Sequence, residues 1–393
     1  MLASISVKTH IFALAGMGTI FHLSNSEKQS RTSDKLPSIA GYLELENFKS
    51  LVDIRREWLR KINPEKDVFQ RMNDKEYKMS KKVAFMFPGQ GSQSVGMGKD
   101  LFDNYESAKN VYSVADKVLG KSISSMCFAG PEEDLKQTVN TQPAIVATSI
   151  AALEALKSQL DIEPSFTAGH SLGEYCAMYA SGVMDLETTM KLIQKRAELM
   201  GETKGGAMAA VLNASEEQLK AAMDEGEKVG YIDIANFNSP AQVVITGDEA
   251  AVKATSEHLL ANGVRRVVPL AVSGAFHSKY VEEAGGKFAE FITDVKLNEA
   301  KIPVVTNVDA NVTTAAEDFR LKMPKQMYSS VYWTQSVEKM FEQGVKTFIE
   351  IGPGKVLSGL VKKIAPEATV MNISDKASLE ATVEALKSEL ANV

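Results

Sequence analysis

Phe166-Thr167-Ala168-Gly169-His170-Ser171-Leu172-Gly173-Glu174-Tyr175-Cys176-Ala177-Met178-Tyr179-Ala180-Ser181 is the stretch on which the fold turns. A short apolar run, Phe166–Gly169, reads as a buried strand, and Leu172–Ser181 reads as a helix. Between them Gly169-His170-Ser171-Leu172-Gly173 fits G-x-S-x-G. In a nucleophile elbow the serine sits on a sharp strand-to-helix turn, so small residues are needed on both sides. The Ser171 hydroxyl then stands at a helix N-terminus, and the N–H of Leu172 can face a developing oxyanion. The plainer alternative is a glycine-punctuated turn with an N-cap serine.

The surrounding text supports an α/β fold from Lys82 onward. Strands are expected at Val83–Phe87 and Lys346–Ile351, and helices at Thr141–Leu156, Leu186–Glu202 and Ser336–Gln343. Residues 206–272 read differently. Strand Ala207–Leu212, helix Ser215–Glu225, strands Tyr231–Phe237 and Gln242–Gly247, helix Glu249–Asn262 and strand Arg265–Leu270 spell β-α-β-β-α-β, the pattern of a ferredoxin-like subdomain. The expected organisation is an α/β-hydrolase-like core with a parallel sheet, residues 79–205 and 273–393, carrying that insert.

The 393 residues exceed what one core usually serves. The charge is uneven: residues 1–82 hold 15 Lys+Arg against 10 Asp+Glu, whereas the remainder holds 29 against 40. An acidic body argues against nucleic-acid binding, which leans on phosphate neutralisation. No run of about 18 apolar residues offers a membrane span. Two cysteines, Cys127 and Cys176, make neither a disulfide framework nor a cysteine-built zinc site. Cys176, on the helix after the elbow, is expected to pack rather than react. Residues 1–78 read as an appendage: Lys8, the apolar run Ile11–Leu23, a Ser-rich stretch and a charged helical segment, before Met79-Ser80-Lys81-Lys82. They are either a targeting segment or an extended gene model, expected to be poorly ordered and to carry no chemistry. A cytoplasmic monomer is expected, with an organelle stroma or matrix as the alternative if the segment is a genuine leader.

A serine nucleophile needs a base. His10 and His22 fall in the leader, His258 on a helix and His170 inside the elbow. That leaves His277, in Ser273-Gly274-Ala275-Phe276-His277-Ser278 after a strand. A turn histidine with a satisfied ring is the competing reading. The loop Phe87-Pro88-Gly89-Gln90-Gly91-Ser92-Gln93 fails both the G-x-G-x-x-G and the P-loop spacing. It is better read as a loop whose amides face the serine and supply a second oxyanion donor.

Phe-Pro-Gly-Gln-Gly-Ser-Gln, Gly-His-Ser-Leu-Gly-Glu, Gly-Ala-Phe-His-Ser and Ile-Gly-Pro-Gly-Lys-Val-Leu occur here in that order. Together they closely resemble the malonyl-CoA:acyl carrier protein transacylases of type II fatty-acid synthesis, from about Lys82 to Leu360 and beyond. The resemblance implies Ser171 as nucleophile, His277 as base, and the amides of Gln90 and Leu172 as the oxyanion hole. It implies Arg196 as the grip on the malonyl carboxylate, with Gln142 beside it. The carbonyl of Gln326, upstream of Val331-Tyr332-Trp333, would orient the histidine; Ser330 stands where family members commonly have proline. Asn236 and Asn238 would face the cleft, and Phe276 would limit room at the malonyl C2 carbon. The implied substrates are malonyl-CoA and the phosphopantetheine thiol of acyl carrier protein, with no metal or other cofactor.

Residue chemistry supports the arginine independently. A guanidinium forks onto a carboxylate, and on Leu186–Glu202 Arg196 shares a face with Leu192, Leu199 and Met200. A structural ion pair to Glu174 or Glu198 is the alternative. Ile351-Gly352-Pro353-Gly354-Lys355 reads as a turn after a strand. Two other functions remain open from the elbow alone: a serine hydrolase of the thioesterase or lipase kind, and a non-catalytic module that binds the carrier protein.

Overall fold

The computed structural model describes residues 82–272 and 274–391; the appendage expected at 1–78 lies outside them. Among the described residues the main sheet has six strands: β1 (Lys82–Phe87), β2 (Phe166–Gly169), β7 (Val304–Val305), β8 (Val312–Thr313), β9 (Val345–Ile351) and β10 (Thr369–Ile373). Their order is β10-β9-β1-β2-β7-β8, parallel throughout except for the antiparallel β8. The central strands are mostly buried, β2 throughout and β1 and β9 over their C-terminal parts, so they read as largely apolar runs rather than alternating ones.

Three helices position the site: α1 (Thr138–Gln159), α2 (Gly173–Ala180) and α3 (Leu186–Glu202). Helix α1 starts before the expected Thr141 and contains Pro143. Proline leaves the carbonyl four residues back without its helical donor. That carbonyl, of Val139, is approached by the Lys121 ammonium at 3.5 Å. Sixteen of its 22 residues are buried, so packing carries this helix. Helix α3 begins at an Asp185 cap that accepts from the Thr188 N–H.

The insert forms its own antiparallel sheet from β3 (Ala207–Leu212), β4 (Ile232–Ser239), β5 (Gln242–Gly247) and β6 (Arg266–Pro269), in the order β4-β5-β3-β6. Two helices, α4 (Glu216–Glu227) and α5 (Glu249–Ala261), lie in the sequence between the strands. Ala209, Val211, Ile245, Ala222, Val252 and Leu259 make a small separate core. Helix α4 opens with a reciprocal capping box between Ser215 and Gln218. No helix among the described residues is long and apolar enough to cross a membrane.

Candidate active site

The turn between β2 and α2 requires glycine at both ends. A Cβ on Gly169 would lie 2.0 Å from the carbonyl carbon and oxygen of Gly173, and one on Gly173 would lie 2.2 Å from the Phe87 carbonyl oxygen. Within this close packing Ser171 takes the left-handed region, φ 51°. Such a conformation in a non-glycine residue costs about 1–3 kcal/mol and persists only where neighbours over-determine it. The helix cap is Leu172, with no side-chain capping bond, so Ser171 is not an ordinary N-cap serine.

The Ser171 hydroxyl instead lies 2.8 Å from Nε2 of His277. His277 is buried and also left-handed, φ 55°, with its N–H donated to the Met327 carbonyl. Its Nδ1 sits 3.0 Å from two carbonyl oxygens, those of Gln326 and Ser329. An Nδ1–H shared between them leaves Nε2 as the acceptor facing the serine. Gln326 is thus where the sequence resemblance implied, and Ser329 adds a second carbonyl that the motif did not signal. Burial first, and then the nearby Arg196 charge, lower the His277 pKa to about 3, so the ring is neutral near pH 7.

Arg196, projecting from α3, is completely buried. Its Nη1 donates to Gln142 Oε1 at 2.7 Å, and its Nη2 to Gln326 Oε1 at 2.9 Å and to Ser171 Oγ at 3.0 Å. Nε has no partner, and among the described residues no carboxylate lies in ion-pair range. The ion-pair alternative is therefore absent. Glu198 is bonded to Gln194, and Glu174 accepts the Asn307 N–H. Burial pushes the Glu174 carboxyl up to about 7, opposed by that N–H and by the Arg196 charge. A buried guanidinium with only neutral partners carries a charge that no neighbour compensates.

A cavity of about 310 Å³ opens onto Ser171 and His277; Arg196 is not among its lining residues but bonds two that are, Gln142 and Ser171. Gln90, Gln142, Ser171, Asn236, Phe276 and His277 line it, with Met200, Met208, Leu270 and Val272 as apolar wall. The Gln90 and Leu172 amides carry no hydrogen bond among the described residues, as oxyanion donors must. In the 88–93 loop the Ser92 hydroxyl donates to the Gly89 carbonyl and the Gly91 N–H to Gln93 Oε1, holding the turn. Asn238 does not line the cavity; its Oδ1 lies 2.8 Å from Nε2 of His170, whose ring tilts against Trp333. Cys176 is buried with its thiol pKa raised by burial, in keeping with packing.

Residues 84–384 match the family described as acyl transferase domain. The chain is 43% identical to the malonyl CoA-acyl carrier protein transacylase of Bacillus subtilis strain 168, over 79% of this chain and 99% of that one. It belongs to the malonyl-CoA:acyl carrier protein transacylase family. An acyl carrier protein S-malonyltransferase from Vibrio cholerae superposes with a TM-score of 0.74 at 38% identity, covering 77% of this chain and 99% of the other. A malonyl-transacylase solved in complex with its holo type II PKS acyl-carrier protein gives 0.75 at 37% identity, with the same coverage. Within this family the chain is an acyltransferase of the S-malonyltransferase type.

One residue that the sequence reading passed over stands at the centre of the elbow. Asn307, just after β7, is fully buried and bonds the backbone of both Gly169 and Ser171. In sequence it sits in Thr306-Asn307-Val308-Asp309, which reads as an ordinary turn. Its only signal is an amide side chain directly after a short apolar run.

Proposed function

We propose that this protein moves the malonyl group from malonyl-CoA to the phosphopantetheine thiol of an acyl carrier protein through a malonyl-serine ester. Ser171 Oγ attacks the thioester carbonyl while His277 Nε2 takes its proton; the amides of Gln90 and Leu172 hold the oxyanion. The C–S bond breaks, and the proton on His277 passes to the departing CoA sulfur. The carrier thiol then attacks the ester carbonyl, gives its proton to His277, and Ser171 leaves with that proton restored. The two half-reactions make a ping-pong cycle.

The observation that carries this reading is Arg196, buried without a carboxylate partner, with Nη2 3.0 Å from the Ser171 hydroxyl. A malonyl group esterified to that oxygen brings its free carboxylate to the guanidinium, which can grip it through parallel hydrogen bonds. Gln142 holds the guanidinium from one side and Gln326 from the other. Asn236 and Phe276 then shape the cavity around the acyl chain, and Asn238 acts through His170. The elbow on a parallel sheet supports a hydrolase-like core at 79–205 and 273–393, and the β4-β5-β3-β6 order supports a ferredoxin-like insert at 206–272.

The test is incubation of purified enzyme with radiolabelled malonyl-CoA, then with holo acyl carrier protein. One label per chain on Ser171, chased onto the carrier, is expected, with none on Ser171→Ala. His277→Ala should slow transfer by about 10²–10⁴. Rapid release of free malonate with no thiol acceptor would instead identify a hydrolase, and binding of the carrier without labelling a docking module.

A further inference from the structure

We propose that Asn307 is a positioning residue that holds Ser171 in its left-handed backbone and thereby aims the Leu172 N–H at the oxyanion. The inference rests on the reading of Ser171 as nucleophile. Asn307 lies outside the cavity lining, so it acts on the reaction only through the elbow.

Its side-chain amide makes its two short bonds to the turn, and Oδ1 has one further, longer contact, from Gln326 Nε2 at 3.5 Å. Oδ1 accepts the Ser171 N–H at 2.7 Å, and Nδ2 donates to the Gly169 carbonyl at 2.7 Å. The two backbone groups flanking His170 are thus pinned by one rigid plane. Asn307 is itself held, since its N–H donates to Glu174 Oε2 at 2.6 Å. Glu174 belongs to the first turn of α2, so the clamp runs from the end of β2 through Asn307 to the helix that the elbow starts. On the far side, Gln326 Nε2 donates to the Ser171 carbonyl at 2.7 Å. Both peptide planes of the strained residue therefore carry a side-chain bond.

This is the over-determination that a non-glycine residue needs to stay at positive φ. With the Ser171 N–H released, relaxation toward right-handed φ rotates the backbone around Ser171. The hydroxyl then swings away from His277, and the Leu172 N–H turns away from the oxyanion. Misplacement by about 1 Å is enough to lose roughly 10²-fold in rate. Asn307 touches neither Arg196 nor the apolar wall, and its one link to the arginine is the 3.5 Å contact with Gln326, so the effect on affinity should be small beside that on rate.

The test uses the full-length enzyme, with Asn307→Ala, Asn307→Asp and wild type each titrated for sites by malonyl labelling. Steady-state kcat and KM with holo acyl carrier protein are measured beside the quench-flow rate of Ser171 acylation. Asn307→Ala should lower kcat and the acylation rate per titrated site by about 10–100-fold, with KM for malonyl-CoA within twofold. Asn307→Asp keeps the acceptor for Ser171 but loses the donor to Gly169, and should fall between the two. A residue that merely supports folding would lower the titratable fraction and leave kcat per site at the wild-type value, which overturns the proposal. Should Asn307→Ala not fold, Asn307→Asp decides it, and a wild-type rate per site again overturns it. Failure of wild type to label at Ser171 would instead sink the nucleophile assignment, a distinct outcome.

Discussion

Arg196→Ala is the substitution whose consequences the site fixes most tightly. The guanidinium is fully buried, has three neutral hydrogen-bond acceptors and no carboxylate, and reaches the Ser171 hydroxyl. In the proposed reaction the malonyl carboxylate would supply the compensating charge. Removing the arginine leaves that carboxylate in a dehydrated cleft with nothing to pair with, and breaking such a buried pair costs about 3–5 kcal/mol. At about 1.4 kcal/mol per tenfold, kcat/KM for malonyl-CoA should fall by roughly 10² to a few thousand-fold. Acetyl-CoA has no carboxylate to strand. For it the substitution removes an uncompensated buried cation and one hydrogen bond to Ser171, and the net change should stay within about tenfold in either direction. The assay is transfer of radiolabelled acyl groups to holo acyl carrier protein from malonyl- and acetyl-CoA, for wild type and Arg196→Ala, at matched titrated site concentration. Equal losses on both substrates would show that the arginine holds the fold or the serine rather than a carboxylate.

Three other outcomes follow from the geometry. Because burial and the Arg196 charge depress the His277 pKa to about 3, the base stays neutral through mild acid, and kcat/KM for malonyl-CoA should be level from pH 7 down to about pH 5; an acid limb centred near 6.5, the ordinary histidine value, would contradict the buried, charge-facing ring. Gly169→Ala places a methyl 2.0 Å from the backbone of Gly173, which has no flexible side chain to give way, so a loss above about 4 kcal/mol or insoluble protein is expected; Gly201→Ala, with nothing within 4 Å, should melt within a few degrees of wild type. Phe276→Ser opens the cavity wall beside the base and should raise the methylmalonyl-to-malonyl ratio of kcat/KM by roughly tenfold, an unchanged ratio removing Phe276 as the limit on the C2 substituent.

Local pattern made much of this fold legible before any coordinates. β2, β3, β5 and α3 carry the bounds that periodicity gives them, because each is a compact apolar or amphipathic run closed by glycine or a capping residue. The missed strands have a physical reason. β7 and β8 are two residues each and are held by pairing with β2 and with each other, and β10 is a mostly half-buried edge strand that pairs only with β9. The early start of α1 is likewise tertiary: Pro143 argues against helix locally, and burial of nearly the whole element overrides it.

The site divides along the same line. Ser171, His277 and the loop at Gln90 were legible because their chemistry demands small residues nearby and a histidine outside regular structure. Arg196 was legible as a charge on an apolar helix face, but whether it met Glu174, Glu198 or a substrate was not. Asn307 and the Ser329 carbonyl were not legible, since they reach the elbow and the base from 136 and 52 residues away. A backbone carbonyl has no side-chain identity for a sequence to display.

The arrangement of charge has a consequence that no single residue shows. Arg196 near His277 is, in the free enzyme, a cation that weakens the base. In the proposed reaction the same guanidinium is the group that a malonyl carboxylate would neutralise, and pairing it would withdraw one of the two main causes of the depressed imidazole pKa. Binding a malonyl group would then return basicity to the proposed base. An acetyl group in the same pocket would leave the cation uncompensated and the base weak. On that mechanism part of the discrimination between charged and neutral acyl groups would belong to the proton-transfer step, and Arg196→Ala would change kcat as well as affinity.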